Sequence, residues 1–243
     1  MGLSLNDPMA QSLNDSIFMK RTTIPELLDT DSASPGEITA ALADLRMVNR
    51  WFGGAATMCR LVREVARRTG KRELSLLDVG GASGDIPIRV AHRLGREGVQ
   101  ISFVVLDRSA SHLNGTRRAI AGDGLALPFA DATFDVVGSS LFAHHLEPGE
   151  LVRFINESLR VARVAALVND LRRSPAHLAL IYAGFPLYRR VARHDAPASV
   201  RRAYTAGELQ ELLAATRATS VEIGNHYLCR MGAIAWRQPP RLT

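Results

Sequence analysis

The sequence predicts a doubly wound α/β domain built on a mostly parallel sheet. Three observations carry that expectation. First, Leu76-Leu77-Asp78-Val79-Gly80-Gly81-Ala82-Ser83-Gly84-Asp85 reads as a buried strand ending in a carboxylate, then a tight Gly-rich turn opening a helix. Small residues there let the backbone come close to a ligand, and the helix N-terminus supplies unpaired N–H groups. Second, about 23 residues on, the apolar run Phe103-Val104-Val105-Leu106 also ends in an acid, Asp107. That is the spacing at which a carboxylate meets ribose hydroxyls in such sheets. Third, strand-like and amphipathic helix-like segments alternate from Ser75 to Asp170, which implies parallel strands covered on both faces.

In chain order, residues 1–34 are rich in Ser, Asp, Asn and Thr with no long apolar period. They are expected to form a flexible or loosely docked arm. One domain then spans 35–243, with two helices over 35–70. Ser34-Pro35-Gly36-Glu37 is a helix start: serine as N-cap, proline at N1, glutamate at N3. Ile38, Leu42, Leu45 and Val48 then fall on one face. After Gly53-Gly54 a second helix carries Met58, Leu61, Val62 and Val65 and stops at Gly70. The core follows as strands Ser75–Val79, Ile101–Asp107, Phe134–Ser139 and Ala165–Asp170, with helices Ile86–Leu94 and Glu150–Val161. A third acid lies in Gly122-Asp123-Gly124-Leu125. Residues 174–204 form a helical insertion, placed to cap a substrate pocket. The last helix, Thr205 to Ala215, starts with a Thr-Ala-Gly-Glu capping box.

Composition narrows the function. With 243 residues, 47% of them hydrophobic, the chain can bury one sizeable core. No apolar run approaches the roughly 18 residues of a membrane span, and the polar start lacks a signal-peptide pattern. A cytoplasmic protein is expected. Cys59 and Cys229 are too few and too isolated for a disulfide framework or metal cluster, so no metal is expected. The net charge of +6 is carried almost wholly by arginine, since Lys20 and Lys71 are the two lysines. The Arg pairs are scattered, which favours ordinary solvated helix faces over nucleic-acid binding. Peripheral contact with an anionic membrane stays open.

The ordered acids Asp78, Asp107 and Asp123 and the Gly-rich turn resemble class I S-adenosylmethionine-dependent methyltransferases, especially the branch acting on quinones and other small natural products. The resemblance runs from about Leu74 to Ala235. It implies a seven-stranded, mostly parallel sheet closed by an antiparallel hairpin from Val221–Leu228 and Met231–Arg237, with S-adenosylmethionine as cofactor. One departure is Ala82, which stands where the family's central glycine would be. The change is mild if φ there is negative, so cofactor binding is expected to survive. A dinucleotide register starting at Gly80 fits worse, because it puts Ala82 and Asp85 at glycine positions.

By this resemblance Gly80 and Gly84 admit the cofactor, Asp107 binds its ribose hydroxyls, and Asp123 faces adenine. Arg108, Gly124 and Ser139 complete the set. Asp107 and Asp123 could instead cap turns. Asp78 either binds through water near the cofactor's amino-acid end or orients the loop. In Asn49-Arg50-Trp51-Phe52, Trp51 could cover the sulfonium and Arg50 meet the carboxylate, against the alternatives of a packed Trp51 and a surface Arg50.

After the Phe134 strand comes Ser140-Leu141-Phe142-Ala143-His144-His145-Leu146. An imidazole there, with a pKa near 6.5, can take a phenolic proton as the oxygen attacks. His144 is the expected base, with His145 the alternative. Asp170 ends the next strand and should emerge on the same sheet edge to orient it. His194-Asp195 in the insertion offers another base. The apolar run His177 to Tyr188 reads as packing or as a greasy lid. Together these features point to methyl transfer onto a small apolar or aromatic acceptor, with oxygen of a phenol, quinol or polyketide first and ring carbon second. An RNA methyltransferase is disfavoured by the absence of an Asn/Asp-Pro-Pro-aromatic motif after Phe134, and a non-catalytic cofactor-binding protein is the remaining alternative.

Overall fold

The computed structural model describes residues 19–27, 35–113, 118–188, 190–226 and 229–238. Strands β1 (Glu73–Val79), β2 (Gln100–Asp107), β3 (Ala119–Ala121), β4 (Phe134–Ser140), β5 (Ala162–Leu171), β6 (Ser220–His226) and β7 (Arg230–Trp236) form one sheet in the order β3-β2-β1-β4-β5-β7-β6. The first five pair in parallel, while β7 runs antiparallel to both neighbours. The sheet thus has the seven strands and closing hairpin expected. β3 escaped the sequence reading because three residues show no period.

Successive β1 side chains go to opposite faces, so Leu76 and Leu77 feed two separate cores. On one face α2 (Gly54–Thr69) and α3 (Asp85–Gly95) pack Met58, Val62, Val65, Val90 and Leu94 against Leu76, Val136 and Trp236. On the other, α4 (Pro148–Val161) and α7 (Ala206–Ala214) bury Leu151, Phe154, Leu209 and Leu213 against Leu77, Val137 and Val168. The ends follow local chemistry. Gly70, at φ 68, stops α2, and Thr205 with Glu208 forms the expected reciprocal cap of α7. The first helix, α1 (Pro35–Trp51), buries Leu42. Its expected cap Ser34 and the side chains of Ile38 and Val48 lie outside the described residues.

The insertion folds into α5 (Pro175–Ala183) and α6 (Arg190–Arg202). The expected loose arm is different in the part that is described. Residues 19–27 are seated across the sheet's carboxyl edge. Arg21 donates to the Leu146 carbonyl at 2.8 Å, the Arg202 carbonyl at 2.8 Å and Glu147 at 3.0 Å. Arg173 donates to the Met19 carbonyl, and the Leu27 N–H to Asp195. Averaged composition hid these specific anchors. The rest of 1–34 lies outside the described residues.

Asp135 locks the start of β4 to the strand that carries the Gly-rich turn. Its carboxylate accepts from the Ser75 N–H at 2.9 Å, the Ser75 hydroxyl at 2.8 Å and Lys71 Nζ at 2.7 Å. Burial raises its pKa, but these donors outweigh burial and hold it below the usual range. Lys71 is 42% exposed, so the ion pair itself adds little. Asp135→Ala, which orphans the Ser75 donors, is expected to cost about 2–3 kcal/mol by chemical denaturation. The depressed carboxyl contributes stability above its unfolded pKa, lost as pH falls through its lower folded value.

Candidate active site

The turn after β1 is wound by left-handed residues. Gly80, Ala82 and Gly84 have φ of 68, 42 and 67. The expectation of a negative φ at Ala82 is therefore overturned, and a non-glycine residue there costs about 1–2 kcal/mol. The conformation is held from outside: the Ala82 N–H donates to Asp107 Oδ2 at 3.0 Å. Gly80 N–H and Gly81 N–H both donate to the Leu106 carbonyl, at 2.8 and 3.3 Å. A Cβ on Gly81 would fall 2.5 Å from Asp78 Oδ2, and one on Gly80 2.7 Å from the Phe142 ring. No side chain fits at either position.

A cavity of about 940 Å³ opens above this edge of the sheet, at the upper end for ligand pockets. Gly80, Asp107, Arg108, Asp123 and Gly124 line it toward β2; His144, His145, Leu180 and Ile181 line it toward the insertion. Asp107 also accepts the Ser109 N–H at 3.0 Å, and Asp123 caps its own turn through the Leu125 N–H at 2.9 Å. Each carboxylate keeps lone pairs for a ligand. Asp78 is 1% exposed, and neither of its oxygens has a hydrogen-bond partner. Burial above all, then Asp85 and Asp107, push its carboxyl up to about 8. The buried Ser139 hydroxyl is likewise unpartnered. Gly84 caps α3. Arg50 lines a second, more open cleft with Arg46, Arg89, Ser83 and Asp85, the last two flanking Gly84 in sequence, and the Trp51 side chain lies outside the described residues.

The loop after β4 turns at Leu141, φ 55, into a single 3₁₀ turn, Ala143–His145. There His144, 2% exposed, meets Asp170 twice: its N–H donates to Oδ2 at 3.0 Å, and its ring Nδ1 bonds Oδ1 at 2.7 Å. Its Nε2 lies 3.5 Å from Glu26 Oε1, an oxygen that also accepts from the Ser199 hydroxyl at 2.8 Å. Burial alone lowers the imidazole pKa, but Asp170 and Glu26 outweigh burial and lift it to about 10. The ordinary imidazole expected at His144 is thus an imidazolium between two carboxylates. Asp170 and Glu26 are correspondingly held low despite burial. His145 stacks on His144 with centroids 4.2 Å apart, its Nε2 4.0 Å from Glu26 Oε2.

The Glu26, His144 and His145 ligand atoms fall within 4.8 Å of one another, with the two rings tilted by 35°. His194 is not on the cavity wall. It sits 45% exposed on α6, bonded to Asp195 at 2.9 Å. Adjacent His and Asp in sequence imitated a dyad. The sequence reading missed Glu26 and Arg230. Glu26 carried a faint signal as an acid among apolar neighbours, Ile24-Pro25-Glu26-Leu27, and Arg230 as a cation opening an apolar strand.

The array has a pH signature. The raised His144 contributes stability that is complete below about 6.5 and lost as pH rises through about 10; the depressed Asp170 and Glu26 contribute above their ordinary range and lose it as pH falls. In a histidine NMR titration His144 is expected to remain protonated at pH 8, and Asp170→Asn to move its transition down by at least about one unit. A wild-type His144 midpoint near 6.5 would refute the array.

A family profile described as "Methyltransferase domain" matches residues 76–164. The ubiquinone/menaquinone biosynthesis C-methyltransferase UbiE of Roseobacter denitrificans is 38% identical over 112 residues, 41% of this chain and 41% of that protein. The chain thus spans less than half the length of this curated relative. A crystal structure of an S-adenosylmethionine-dependent methyltransferase from Aquifex aeolicus aligns over 85% of this chain and 100% of its own, with TM-score 0.56 and 16% identity. Magnesium protoporphyrin IX methyltransferase from Synechocystis, solved with S-adenosylhomocysteine, aligns over 76% and 84%, with TM-score 0.50 and 13% identity. These two structures share the fold. Residues 76–164 thus match a methyltransferase domain, and the sheet order is that of a fold shared with S-adenosylmethionine-dependent methyltransferases.

Proposed function

We propose that the protein transfers a methyl group to the oxygen of a small apolar acceptor, a phenol, quinol or polyketide. The observation that carries this reading is the Glu26–His144–Asp170 array, which opens with apolar Leu180 and Ile181 onto the cavity that also holds the Gly-rich turn. Methylation of a ring carbon is the second reading, favoured by the named activity of the Roseobacter relative; deprotonating a ring hydroxyl serves both.

The residues fit the cofactor. The buried, unpartnered Asp78 carboxyl, protonated at neutral pH in the protein alone, would ionise opposite a positively charged amino-acid end, and the turn leaves room for close backbone approach. Asp107 would hold the ribose hydroxyls, Asp123 and Gly124 the adenine, Gly80 and Ser139 the methionyl chain. The bound cofactor supplies an electrophilic methyl group. Aligning it with the acceptor can account for much of the rate.

The protein's own part is the proton. His144 keeps a fixed positive charge at the acceptor's oxygen, which favours the anion. Because that imidazole already holds its proton, the base role expected of it passes to Glu26. The acceptor's O–H proton would pass to the Glu26 carboxylate, leaving the O–H electron pair on oxygen to take a methyl group whose bond to the cofactor's sulfonium sulfur breaks, the thioether leaving. Asp170 positions His144 and keeps it charged.

Mass spectrometry of products formed with labelled cofactor and a panel of phenols, quinols and RNA tests the proposal; RNA as the sole labelled product would overturn it. His144→Ala is expected to lower kcat by about 10² or more with little change in cofactor affinity. Asp107→Ala should weaken S-adenosylmethionine at least about tenfold in calorimetry, since it loses a charged acceptor and the tie to Ala82. An unchanged dissociation constant would remove Asp107 from the site.

A further inference from the structure

Arg230 opens β7 at the carboxyl edge of the sheet and lines the cavity, with only 2% of its surface exposed. One side of its guanidinium is tied down: Nε donates to the Phe52 carbonyl at 3.2 Å and Nη2 to Asn49 Oδ1 at 3.3 Å. Nη1 is buried with no hydrogen-bond partner. Asp170 and Asp85 act on the cation through space, without a hydrogen bond. Burial lowers its pKa, to about 10, which still leaves it charged at neutral pH.

A buried cation with a vacant donor is an incomplete site, because desolvation is costly unless an anion answers it. The tied edge fixes the guanidinium plane, so Nη1 is presented in one direction. A planar fork held this way recognises carboxylates in particular. On the insertion side the cavity mixes Leu180, Ile181 and Val191 with His177, Asp195 and Arg202, and no side chain there hydrogen-bonds Arg230 Nη1.

We propose that Arg230 is a carboxylate-binding point in the cavity wall. The proposal rests on the methyltransferase reading and extends it to a specific ligand group. The carboxylate has two sources: the methionyl end of the cofactor, or an acid group on the acceptor. Arg230 lines the same cavity as Gly80 and Ala82 of the Gly-rich turn and as His144 of the array.

Calorimetry on the full chain separates the sources with two probe pairs. One is S-adenosylhomocysteine and its decarboxylated analogue; the other, with S-adenosylhomocysteine present, is a 3-alkyl-4-hydroxybenzoate and its methyl ester. The wild type is expected to prefer the acid member of one pair by about tenfold or more. Arg230→Met should abolish that preference while leaving the neutral member's affinity within about twofold. Lost preference in the first pair assigns the cofactor, in the second the acceptor. Arg230→Lys keeps the charge without the fork and should retain only part of the preference; it carries the test if the Met variant does not fold. No preference in either wild-type pair, or equal weakening of both members in the variant, overturns the proposal and leaves Arg230 a brace between α1 and α2. Failure of the wild type to bind S-adenosylhomocysteine would instead refute the methyltransferase reading.

Discussion

The site depends on the carboxylate of Asp170, which ties the loop after β4 to the end of β5. Its two oxygens accept from the His144 N–H, the His144 ring and the Leu171 N–H. The backbone bond fixes where the 3₁₀ turn begins, and the ring bond fixes which imidazole nitrogen faces the cavity. Asp170 can do this because β4 and β5 are adjacent parallel strands, with Ser140 in register with Asn169. Behind them the Asn169 amide donates to the Gly54 carbonyl and the Ser140 hydroxyl, at 2.9 Å each. The hydrogen-bonded sheet edge therefore sets the position of α2 and of the 3₁₀ turn carrying His144 together. Pairs of carboxylates around one imidazole are stable only because the proton stays; removing either acid changes the charge on the ring as well as its geometry.

Three groups in and around the Gly-rich turn and cavity are unfinished in the protein alone: the strained Ala82 and the vacant Arg230 nitrogen on the cavity wall, and the orphaned Asp78 carboxyl beneath Gly81. None helps folding. Buried unsatisfied polar atoms and left-handed non-glycine residues each cost on the order of 1–3 kcal/mol, and they gather where a ligand would complete them. The two large cores on either face of the sheet supply the stability that tolerates them. The surface follows a different rule. Its arginines pair locally, as Arg63 with Glu97, Arg67 and Arg68 with Glu64, and Arg160 with Glu157 and Asp131. Exposed pairs of this kind add little stability, and other arginines gather instead: Arg46, Arg50, Arg89, Arg93 and Arg96 line one open cleft.

What the sequence made legible was local. The Thr205–Glu208 cap, the Gly70 stop, the acid-ended strands and the left-handed glycines at Gly80 and Gly84 are decided within a few residues, and each is where the pattern placed it. The pairing of His144 with Asp170 was also accessible, because neighbouring parallel strands deliver their C-terminal loops to one edge. The protonation state was not. It depends on Glu26, which lies 118 positions before His144 by their numbers and reaches the ring only through tertiary docking. Ala82 was misjudged for a related reason: its φ is set by Asp107 on the next strand rather than by its own preference. His194 failed in the opposite direction: adjacent in sequence, Asp195 turns inward to the cavity and the Leu27 N–H while the His194 ring stays half exposed and off the cavity wall.

The docking of residues 19–27 ties the proton chemistry to the chain's beginning. Arg21 spans the Leu146 and Arg202 carbonyls and packs over the Tyr204 ring at 4.6 Å, so it staples the loop after β4 to the end of the insertion. Five residues later Glu26 closes the imidazole from the cavity side. If that segment were absent, His144 would keep Asp170 but lose one of its two anions, and its pKa would fall toward neutrality. The array would then hold one carboxylate and one imidazole, with its proton-accepting group removed. Residues 19–27 thus contribute one of the two carboxylates that keep the His144 ring charged, which makes them part of the array rather than a loose tether to it.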